Sequence, residues 1–347
     1  MRVYIGVDFH ARKQTISYLT TEEGEIQQLE LDHEKDDIRA FYGQFRGQVV
    51  IVGFESSGYA AWFEELLEEL GCEIWIGHAA EIRRWARRRQ KNDRRDADLI
   101  LELMVRGDFP RLHRYSRTSR EVLQQLRYRH RLVKMRTMVL NSLQFMASSR
   151  AVSLKGKLQT KRGQARLMEL ALPAPLAQQR DVQCQLLQEL QQKIATVEQW
   201  LQQKGEQDAQ VQRLRTHPGI GLLTGLGLVN TLELIERFAH GRKVTAYVGF
   251  DPVEDSSGER RRMGSISKQG SRLLRLLLVE AGQVAARHDR DLGCVYRRIA
   301  MRRGHATAKV AVARRLLVRA FIMLRDEIDY AEFCRRGVAA RSSRGNA

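Results

Sequence analysis

The sequence predicts a mixed-sheet α/β domain at the N-terminus followed by mainly helical regions, and three observations lead to this fold class. Alternating or continuous apolar runs typical of strands recur before Pro110. Stretches with helical spacing separate the later of these runs from one another. After Pro110 the strand pattern vanishes, and most periodic segments have helical spacing. We therefore expect the sheet to lie within residues 1–108.

The predicted domain consists of three strands, a helix, a strand, a helix, a strand and a final helix. Five runs have strand character, at residues 3–9, 14–20, 26–32, 49–54 and 72–76. The fourth run is continuously apolar, which indicates a strand buried on both faces. Helical periodicity predicts helices over residues 59–70 and 94–105. Gly71 suits the end of the first helix, and Asp93 suits the N-cap of the second.

Three further regions follow the α/β domain. Residues 109–212 are expected to form a helical or coiled-coil region with a basic loop or loosely helical insert at 147–180. Within it, an apolar seam with 3-4 spacing favours helix pairing, either within the chain or between subunits: Leu187, Leu190, Ile194, Val197 and Leu201. Residues 213–330 form a third, mainly helical region. The tail at 331–347 is rich in Arg, Ser and Gly and is expected to be disordered.

The composition favours a polyanionic partner. The 347 residues include 59 Lys and Arg against 41 Asp and Glu, a formal net charge of +18. Nucleic acid is the expected partner, although a ribosome-like or membrane-surface protein would also be basic. No run reaches the roughly 20 apolar residues of a spanning helix, and no signal peptide is recognisable. Four cysteines without a CxxC pair argue against zinc and disulfides, and indicate a reducing cytoplasm.

Four carboxylates occupy positions that suit a metal site. Asp8 follows the first strand and Glu55 ends the fourth, so both project from one sheet edge if these strands are neighbours. Asp93 and Asp96 share one face at a helix start, whereas Asp98 lies on the opposite side. Hard oxygen ligands suit Mg²⁺ or Mn²⁺. Each acid also has a structural interpretation, as a turn former, a helix-dipole partner, an N-cap or a solvated ion pair.

Two segments downstream have features that suit phosphate binding. Gly219 and Gly221 belong to a Pro-Gly-Ile-Gly turn that resembles a helix-hairpin-helix, although a tight turn between packed helices is equally open. Ser257 precedes Gly258, which suits an exposed hydroxyl on a sharp turn, and a polar surface loop is the alternative. Five basic residues near this serine could hold a phosphodiester: Arg260, Arg261, Arg262, Lys268 and Arg272.

Together these segments resemble the DEDD-type transposases of bacterial insertion sequences, a family that includes Piv-type invertases and bridge-RNA-guided recombinases. The resemblance covers residues 3–105 and 214–285. Its N-terminal part is carried by Gly6-Val7-Asp8, Phe54-Glu55-Ser56-Ser57-Gly58 and Lys91-Asn92-Asp93-Arg94-Arg95-Asp96-Ala97. Its C-terminal part is carried by Pro218-Gly219-Ile220-Gly221, Gly249-Phe250-Asp251-Pro252, Ser257-Gly258 and Ile266-Ser267-Lys268-Gln269-Gly270.

The resemblance implies a RuvC-like domain of the RNase H fold, a helical or coiled-coil middle and a C-terminal transposase domain. Four acids would hold Mg²⁺ or Mn²⁺: Asp8, Glu55, Asp93 and Asp96. Ser257 would be the nucleophile, with Ser256 as the alternative. The resemblance further implies donor and target DNA, a structured guide RNA, and a homo-oligomer (dimer or tetramer) whose subunits share a site.

Three functional hypotheses follow from the sequence. The first is a metal-dependent DNA recombinase with a serine nucleophile, which we adopt because it accounts for the four acids and the serine at once. The second is a hydrolytic RuvC-like nuclease of the Holliday-junction type, in which Ser257 is only structural. The third is a non-catalytic nucleic-acid-binding protein whose acids are solvated.

Overall fold

The computed structural model describes residues 1–22, 24–85, 93–254 and 263–345. The chain divides into two compact units, Met1–Arg114 and Tyr115–Ala347. The first unit carries a five-stranded sheet, and the second is mostly helical. The fold class predicted from the sequence is therefore confirmed. The further division at residue 212 stays a prediction.

The sheet of the first unit has the strand order β3-β2-β1-β4-β5. Its central strand β1 pairs antiparallel with β2 and parallel with β4. The outer strands continue these directions, since β3 is antiparallel to β2 and β5 is parallel to β4. This mixed sheet agrees with the RNase H-type fold that the resemblance implies. The elements are β1 (Arg2–Phe9), β2 (Lys13–Thr20), β3 (Ile26–Asp32), α1 (Ile38–Gly43), β4 (Val49–Glu55), α2 (Ala61–Glu69), β5 (Glu73–Gly77), α3 (Ala79–Trp85) and α4 (Asp93–Arg106).

Strand alternation divides the core of this unit between the two faces of the sheet. One face packs against α1 and α2 through a cluster that includes Val3, Ile5, Val7, Phe54 and Phe63. The opposite face packs against α3 and α4 through a cluster that includes Ile51, Trp75, Ile82, Ile100 and Met104. Each fully buried side chain of this size contributes about 1.5–3 kcal/mol. Even-numbered residues of β1 and odd-numbered residues of β4 thus face α4.

A pair of glycines lets α4 lie directly on the two central strands. Gly6 of β1 and Gly53 of β4 are register partners. A Cβ atom added to Gly6 would lie 2.6 Å from the carbonyl oxygen of Ala97, and one added to Gly53 would overlap Sδ of Met104. Because side chains of any size would displace the helix, these glycines set the spacing between α4 and the sheet.

The five predicted strands and the helices predicted over 59–70 and 94–105 all occur, with boundaries within two residues at most ends. Helix α3 is the element that the pattern did not predict. It is seven residues long, and Ile82 is its buried residue, so it leaves almost no periodic signal in the sequence.

Two long helices, α5 (Arg117–Ser148) and α7 (Ala174–Glu206), pack together at the start of the second unit. The predicted apolar seam of α7 is buried here. Its C-terminal part meets the beginning of α5, where Leu126 and Leu132 join Ile194 and Leu201 in one cluster. The seam therefore pairs with a helix of the same chain, which was one of the two open alternatives.

The segment predicted as a basic loop or loosely helical insert contains helix α6 (Lys161–Met168) and a small core of its own. Leu154, Leu158 and Leu167 are buried against the end of α5 and the beginning of α7. Thr160 caps α6 by accepting a hydrogen bond from the backbone N–H of Gly163. The weak pattern in the sequence reflects buried leucines spread over turns rather than along one helix.

The rest of the second unit surrounds one large apolar cluster. Its helices are α8 (Ala209–Arg215), α9 (Leu222–Leu232), α10 (Gly241–Val248), α11 (Arg272–His288), α12 (Arg290–Arg325) and α13 (Tyr330–Gly345). Leu278, Leu317 and Phe321 are among the fully buried residues. A short hairpin of β6 (Pro252–Glu254) and β7 (Met263–Ile266) adjoins these helices. In the part of the chain that the structure describes, no helix combines the length and apolar character needed to cross a membrane.

The C-terminal segment differs from the sequence expectation. Helix α13 occupies most of the residues predicted to be a disordered tail. Tyr330 and Phe333 at its start pack against the large cluster, and the hydroxyl of Tyr330 donates a hydrogen bond to Asp289. Composition indicated disorder because Arg, Ser and Gly dominate the end of the chain, but two aromatic anchors outweigh that signal at the helix start.

Candidate active site

Asp8 lies on β1 with its side chain on the face covered by α4. The strand places Tyr4, Gly6 and Asp8 on that face, since side chains alternate along a strand. The Asp8 side chain is 15% exposed. The sequence predicted a carboxylate at the end of a central strand, and the cover provided by α4 is an addition that the structure makes. The role of Asp8 as a metal ligand stays a prediction.

Helix α4 brings two further acids toward Asp8. It begins at Asp93 and carries Asp96 in its first turn, and both are partly exposed. A carboxylate oxygen of Asp93 lies within 4.8 Å of one of Asp8. Because Ala97 and Leu101 rest on Gly6, the helix start is carried directly over the end of β1.

The electrostatic state of Asp8 reflects this crowding. Burial raises the pKa of Asp8 above its ordinary value, and the negative charges of Asp96 and Asp93 raise it further. The opposing influence is His10, whose Nε2 lies 3.1 Å from Oδ2 of Asp8 and lowers the pKa in part. Net destabilisation of the charged carboxylate means that a cation beside it would be favoured.

Glu55 lies at the same edge of the sheet as Asp8. Phe54 and Val7 are register partners on the parallel strands β4 and β1. The residues that follow them, Glu55 and Asp8, therefore lie side by side. Glu55 shares the α4 face with Ile51 and Gly53 by alternation. Its Oε2 lies 3.9 Å from Nη2 of Arg83, a surface ion pair worth little. Its membership of the metal site stays a prediction.

Two residues of the site were missed by sequence reasoning. His10 joins Asp8 and Asp93 in a group of three potential ligands that lie within 4.8 Å of one another. Lys13 approaches Asp93 at 3.3 Å and Glu30 at 2.9 Å. A signal for His10 was present in its position, because it lies two residues after Asp8 and directly follows the last residue of β1.

Asp98 has a structural role, in line with its lower rank among the sequence candidates. Its Oδ1 accepts hydrogen bonds from Ser17 at 2.6 Å and from Gln28 at 2.5 Å. These contacts tie α4 to β2 and β3. The acids of α4 therefore divide by face, with Asp93 and Asp96 toward Asp8, and Asp98 toward the sheet.

The donor set fits a hard divalent cation. Carboxylate oxygens are the preferred ligands of Mg²⁺ and Mn²⁺, and an imidazole nitrogen is compatible with Mn²⁺. The fit rests on the potential ligand atoms of Asp8, His10 and Asp93, which lie within 4.8 Å of one another, and burial together with the nearby acids raises the pKa of Asp8 in the same direction. Asp8 and Asp93 are the acids that geometry brings within coordinating distance of one another.

The predicted serine belongs to the connection between β6 and β7. Ser257, Ser256 and the three arginines that follow lie outside the residues that the structure describes: Arg260, Arg261 and Arg262. Pro252 and Ile266 are register partners at the base of the hairpin, and Glu254 pairs with Met263. The prediction that Ser257 is a nucleophile thus stays a prediction.

The base of this hairpin is held rigidly. The backbone N–H and the hydroxyl of Ser267 donate to the backbone oxygen and to Oδ1 of Asp251, at 2.8 and 2.5 Å. Gly249 has a φ of +80°, and a Cβ there would lie 2.5 Å from the backbone nitrogen of Gln269. Only glycine fits this left-handed, crowded position, so the two chain segments interlock beneath the hairpin.

Two predicted phosphate-binding residues lie beside this base. Lys268 is exposed and adopts a φ of +58°, while its N–H donates to Gly249. Arg272 is exposed at the start of α11, and its charge helps to lower the pKa of His130, after burial and the charges of Lys134 and Arg129. Both cations are available to an anion from solvent.

The Pro-Gly-Ile-Gly turn joins α8 to α9, and its two glycines differ. Gly219 has a φ of +92°, and a Cβ there would lie 2.4 Å from the backbone oxygen of Ala281 in α11. Gly221 is the N-cap of α9, and a Cβ there would meet no atom within 4 Å. Gly219 therefore serves packing, which was one alternative, whereas Gly221 faces open space at a helix N-terminus.

The mixed sheet and its acidic edge define the class of RNase H-type α/β proteins. Two family models match the chain. The model of the DEDD transposases of IS110 matches residues 5–147, which include all four predicted acids. The model described as Transposase IS116/IS110/IS902 family matches residues 211–297, which include the predicted serine.

Curated relatives agree with these matches. A "Probable family 20 transposase" of Pseudomonas aeruginosa is 28% identical over 264 residues, 73% of this chain and 76% of the relative. The transposase for insertion sequence element IS1111A of Coxiella burnetii is 28% identical over 212 residues, 58% of this chain and 56% of the relative. The transposase for insertion sequence element IS1328 of Yersinia enterocolitica is 29% identical over 235 residues, 67% of this chain and 70% of the relative. The chain belongs to the DEDD-type insertion-sequence transposase family.

Proposed function

We propose that this protein is the transposase of a bacterial insertion sequence, which cuts and rejoins DNA strands with a serine nucleophile supported by a divalent metal. The observation that carries the proposal is the group formed by Asp8, Asp93 and His10 at the end of the central strand. Like charges gathered beneath a helix are costly unless they serve a cation. Family membership and the net charge of +18 support a nucleic acid as the substrate.

Four acids would hold Mg²⁺ or Mn²⁺ in this proposal: Asp8, Glu55, Asp93 and Asp96. A bound divalent ion would lower the pKa of a coordinated hydroxyl and neutralise charge on a phosphodiester. His10 and Lys13 position the acids, since each lies within 4.0 Å of Asp93. Asp98 and the glycine pair keep α4 in place on the sheet.

The chemical step transfers a phosphoryl group. The hydroxyl of Ser257 loses its proton, and its oxygen forms a bond to phosphorus while the bond from phosphorus to one DNA oxygen breaks. That oxygen takes up a proton, and the strand stays attached to the protein as a phosphoserine ester. A hydroxyl of a second DNA strand then attacks the ester and releases the serine, so no bond energy is lost to water.

Several basic groups would hold the DNA backbone during this exchange. They are Arg260, Arg261, Arg262, Lys268 and Arg272, with the backbone N–H groups at Gly221 as a further phosphate contact. Such contacts carry affinity without sequence information. Choice of donor and target DNA would then come from base pairing with a structured guide RNA, as the resemblance implies.

The proposal includes a homo-oligomer, either a dimer or a tetramer, working in the cytoplasm. The oligomer is proposed because of the resemblance to a family in which the serine region of one subunit completes the acidic site of another. The predicted domain borders at 108, 212 and 330 belong to the same proposal. Size-exclusion chromatography with light scattering measures the subunit number directly.

The test is excision of the element from a plasmid in cells, read by amplification across the circle junction. Ser257→Ala and Asp8→Asn should both abolish the junction. Ser265→Ala, in the exposed part of β7, is the matched serine control, and Asp98→Asn is the matched acid control because an amide oxygen still accepts both hydrogen bonds. A junction that persists in Ser257→Ala overturns the serine mechanism.

A second readout separates the serine mechanism from hydrolysis. Wild-type protein incubated with DNA and Mg²⁺ should form an adduct that survives denaturing detergent, and Ser257→Ala should form none. Ser256→Ala should retain it. Nicking without an adduct would assign the attack to water and support a RuvC-like nuclease. Neither nicking nor junction in any variant, with metal-independent binding, would support a non-catalytic binding protein.

A further inference from the structure

A basic groove with an apolar floor runs along α12 beside the hairpin of β6 and β7. It encloses 680 Å³. Its floor includes Phe250, Val310 and Val318, and its basic rim includes Arg303, Arg314 and Arg315. None of these residues belongs to the acidic site or to the basic group predicted from the sequence.

The three rim arginines are uncommitted within the part of the chain that the structure describes. No carboxylate of residues 1–22, 24–85, 93–254 or 263–345 pairs with Arg303, Arg314 or Arg315. Arg319, which also lines the groove, is by contrast bound to Asp289. Cations held near one another without acidic partners repel, and their arrangement is favourable when an anion binds.

The groove touches both strands of the hairpin that carries the predicted serine. Pro252 of β6 and Ile266 of β7 line it and are register partners. Gly304 interrupts α12 with a φ of +80°, so the segment that carries Arg303 departs from the axis of the following segment. Any molecule bound in the groove is thus directly adjacent to the base of the β6–β7 hairpin.

We propose that this groove binds an unstacked single strand of the DNA next to the phosphodiester that is cut. Arginines contact backbone phosphates, while the apolar floor accepts the faces of sugars and bases. A duplex stacks its bases inside and offers no such face to the floor. The volume is in the range of sites for small ligands, enough for about one or two nucleotides. The inference rests on the proposed function, because that function supplies the cut strand.

The test measures binding without cutting, in the full-length Ser257→Ala protein, with a fluorescent oligodeoxythymidylate as the probe. Arg303→Ala/Arg315→Ala removes two exposed rim charges. Arg298→Ala/Arg302→Ala is the matched control, with two exposed arginines of the same helix outside the groove. The groove variant should lower the slope of log affinity against log salt by about 1.4, since each phosphate contact of a single strand contributes about 0.7.

A crosslink locates the strand independently of affinity. A photoreactive phenylalanine derivative at Thr307, which lines the groove, should crosslink to the probe, whereas the same group at Met301, 82% exposed on the same helix, should not. Equal crosslinking at both positions, or an equal loss of slope in the control variant, overturns the proposal. If duplex DNA or RNA of the same sequence prevents the probe from crosslinking at Thr307, the choice of single-stranded DNA is overturned.

Because cutting is blocked in this background, the outcome is independent of the excision test. If the wild-type protein excises the element but Arg303→Ala/Arg315→Ala does not change DNA binding in the Ser257→Ala background, the groove is refuted and the transposase mechanism stands. If the wild-type protein never excises the element but Arg303→Ala/Arg315→Ala lowers the salt slope in that background, the groove stands and the mechanism is refuted.

Discussion

The aspartates at the sheet edge and a single aspartate in the second unit have opposite electrostatic settings. At the sheet edge, Asp8 lies close to Asp93 and Asp96, and burial together with these like charges raises its pKa. In the second unit, Asp289 is 5% exposed and more buried than Asp8, yet its pKa is lowered. Burial alone would raise both, so the difference lies in the partners.

The partners of Asp289 compensate its charge fully. Its carboxylate accepts hydrogen bonds from the backbone N–H of Leu292 at 2.7 Å, from the hydroxyl of Tyr330, and from Arg319. Asp289 is thus the N-cap of α12 and a link to α13. The acids at the sheet edge are instead held by packing of α4 on the two glycines. Charge that is fully paired stabilises the fold, whereas the charge of Asp8, which His10 offsets only in part, favours a ligand.

The largest effect should come from removing the compensated acid. Asp289→Ala removes the nearer of the two carboxylates that pair with the largely buried Arg319, leaving Asp291 at 3.7 Å, and it also removes the helix cap. We therefore expect a loss of about 3–5 kcal/mol in the free energy of unfolding. Asp326→Ala is the control, because that partly exposed carboxylate pairs with the exposed side chains of Arg325 and Arg336, and its loss should cost less than about 1 kcal/mol. Urea unfolding of both variants measures the two values. Similar losses would contradict the comparison.

The next prediction concerns the pH dependence of the free energy of unfolding, which His217 near Asp289 should influence. His217 packs against the ring of Tyr330, and burial, followed by the charge of Arg319, lowers the pKa of His217 to about 4. Protons then bind the unfolded chain more tightly, since its histidine titrates near 6.5. The contribution of neutral His217 is complete above pH 6.5 and is lost between pH 6.5 and 4, by about 3 kcal/mol.

Comparison of wild type with His217→Phe isolates this contribution, because phenylalanine keeps the ring contact and cannot titrate. Urea unfolding at several pH values should show that the stability difference between the two proteins changes over pH 4–6.5 only. Asp289 does not interfere, since its lowered pKa moves its own loss of stability below that window. A constant difference across the range would show that His217 titrates normally.

A smaller effect should follow from disturbing the packing that holds the acidic edge. Gly6→Ala places a methyl group 2.6 Å from the backbone oxygen of Ala97, so we expect a cost of about 1–3 kcal/mol and loss of excision as α4 moves. Gly43→Ala is the control, since a Cβ there meets no atom within 4 Å. Thermal unfolding and the junction assay read both properties. Excision that survives in Gly6→Ala would show that the position of α4 does not matter.

The smallest effect, of opposite sign, should come from neutralising Asp8, whose charge is only partly compensated by His10. Asp8→Asn removes one of several like charges and should raise the free energy of unfolding in a metal chelator by about 0.2–1 kcal/mol. The same variant should lose excision. A stabilising change that abolishes activity would mark Asp8 as functional, whereas a loss of stability would place it with Asp289.

The sequence predicted the sheet well because strand alternation and continuous apolar runs follow directly from burial. It also predicted which faces Asp93, Asp96 and Asp98 take on α4, since helical spacing determines them. It did not predict the pairing of Lys13 with Asp93 or the compensation of Asp289 by Arg319 and Tyr330. Those contacts join residues far apart in the chain, and their approach depends on how helices pack.

The groove on α12 shows a further limit. Its arginines are indistinguishable in the sequence from the many others of a chain with 59 basic residues. Only the arrangement of the helix and the hairpin separates Arg303 and Arg315 from Arg298 and Arg302. In the same way, composition alone could not show that Tyr330 and Phe333 anchor the last helix.

The glycine pair under α4 has a consequence for synthesis on the ribosome. The parallel pairing of β1 with β4 forms only after residue 55 has emerged, and α4 can settle on Gly6 and Gly53 only after residue 106. Since domains fold as units during translation, a nascent chain shorter than this displays the first acids without the last two. Prematurely terminated products therefore carry no assembled acidic site.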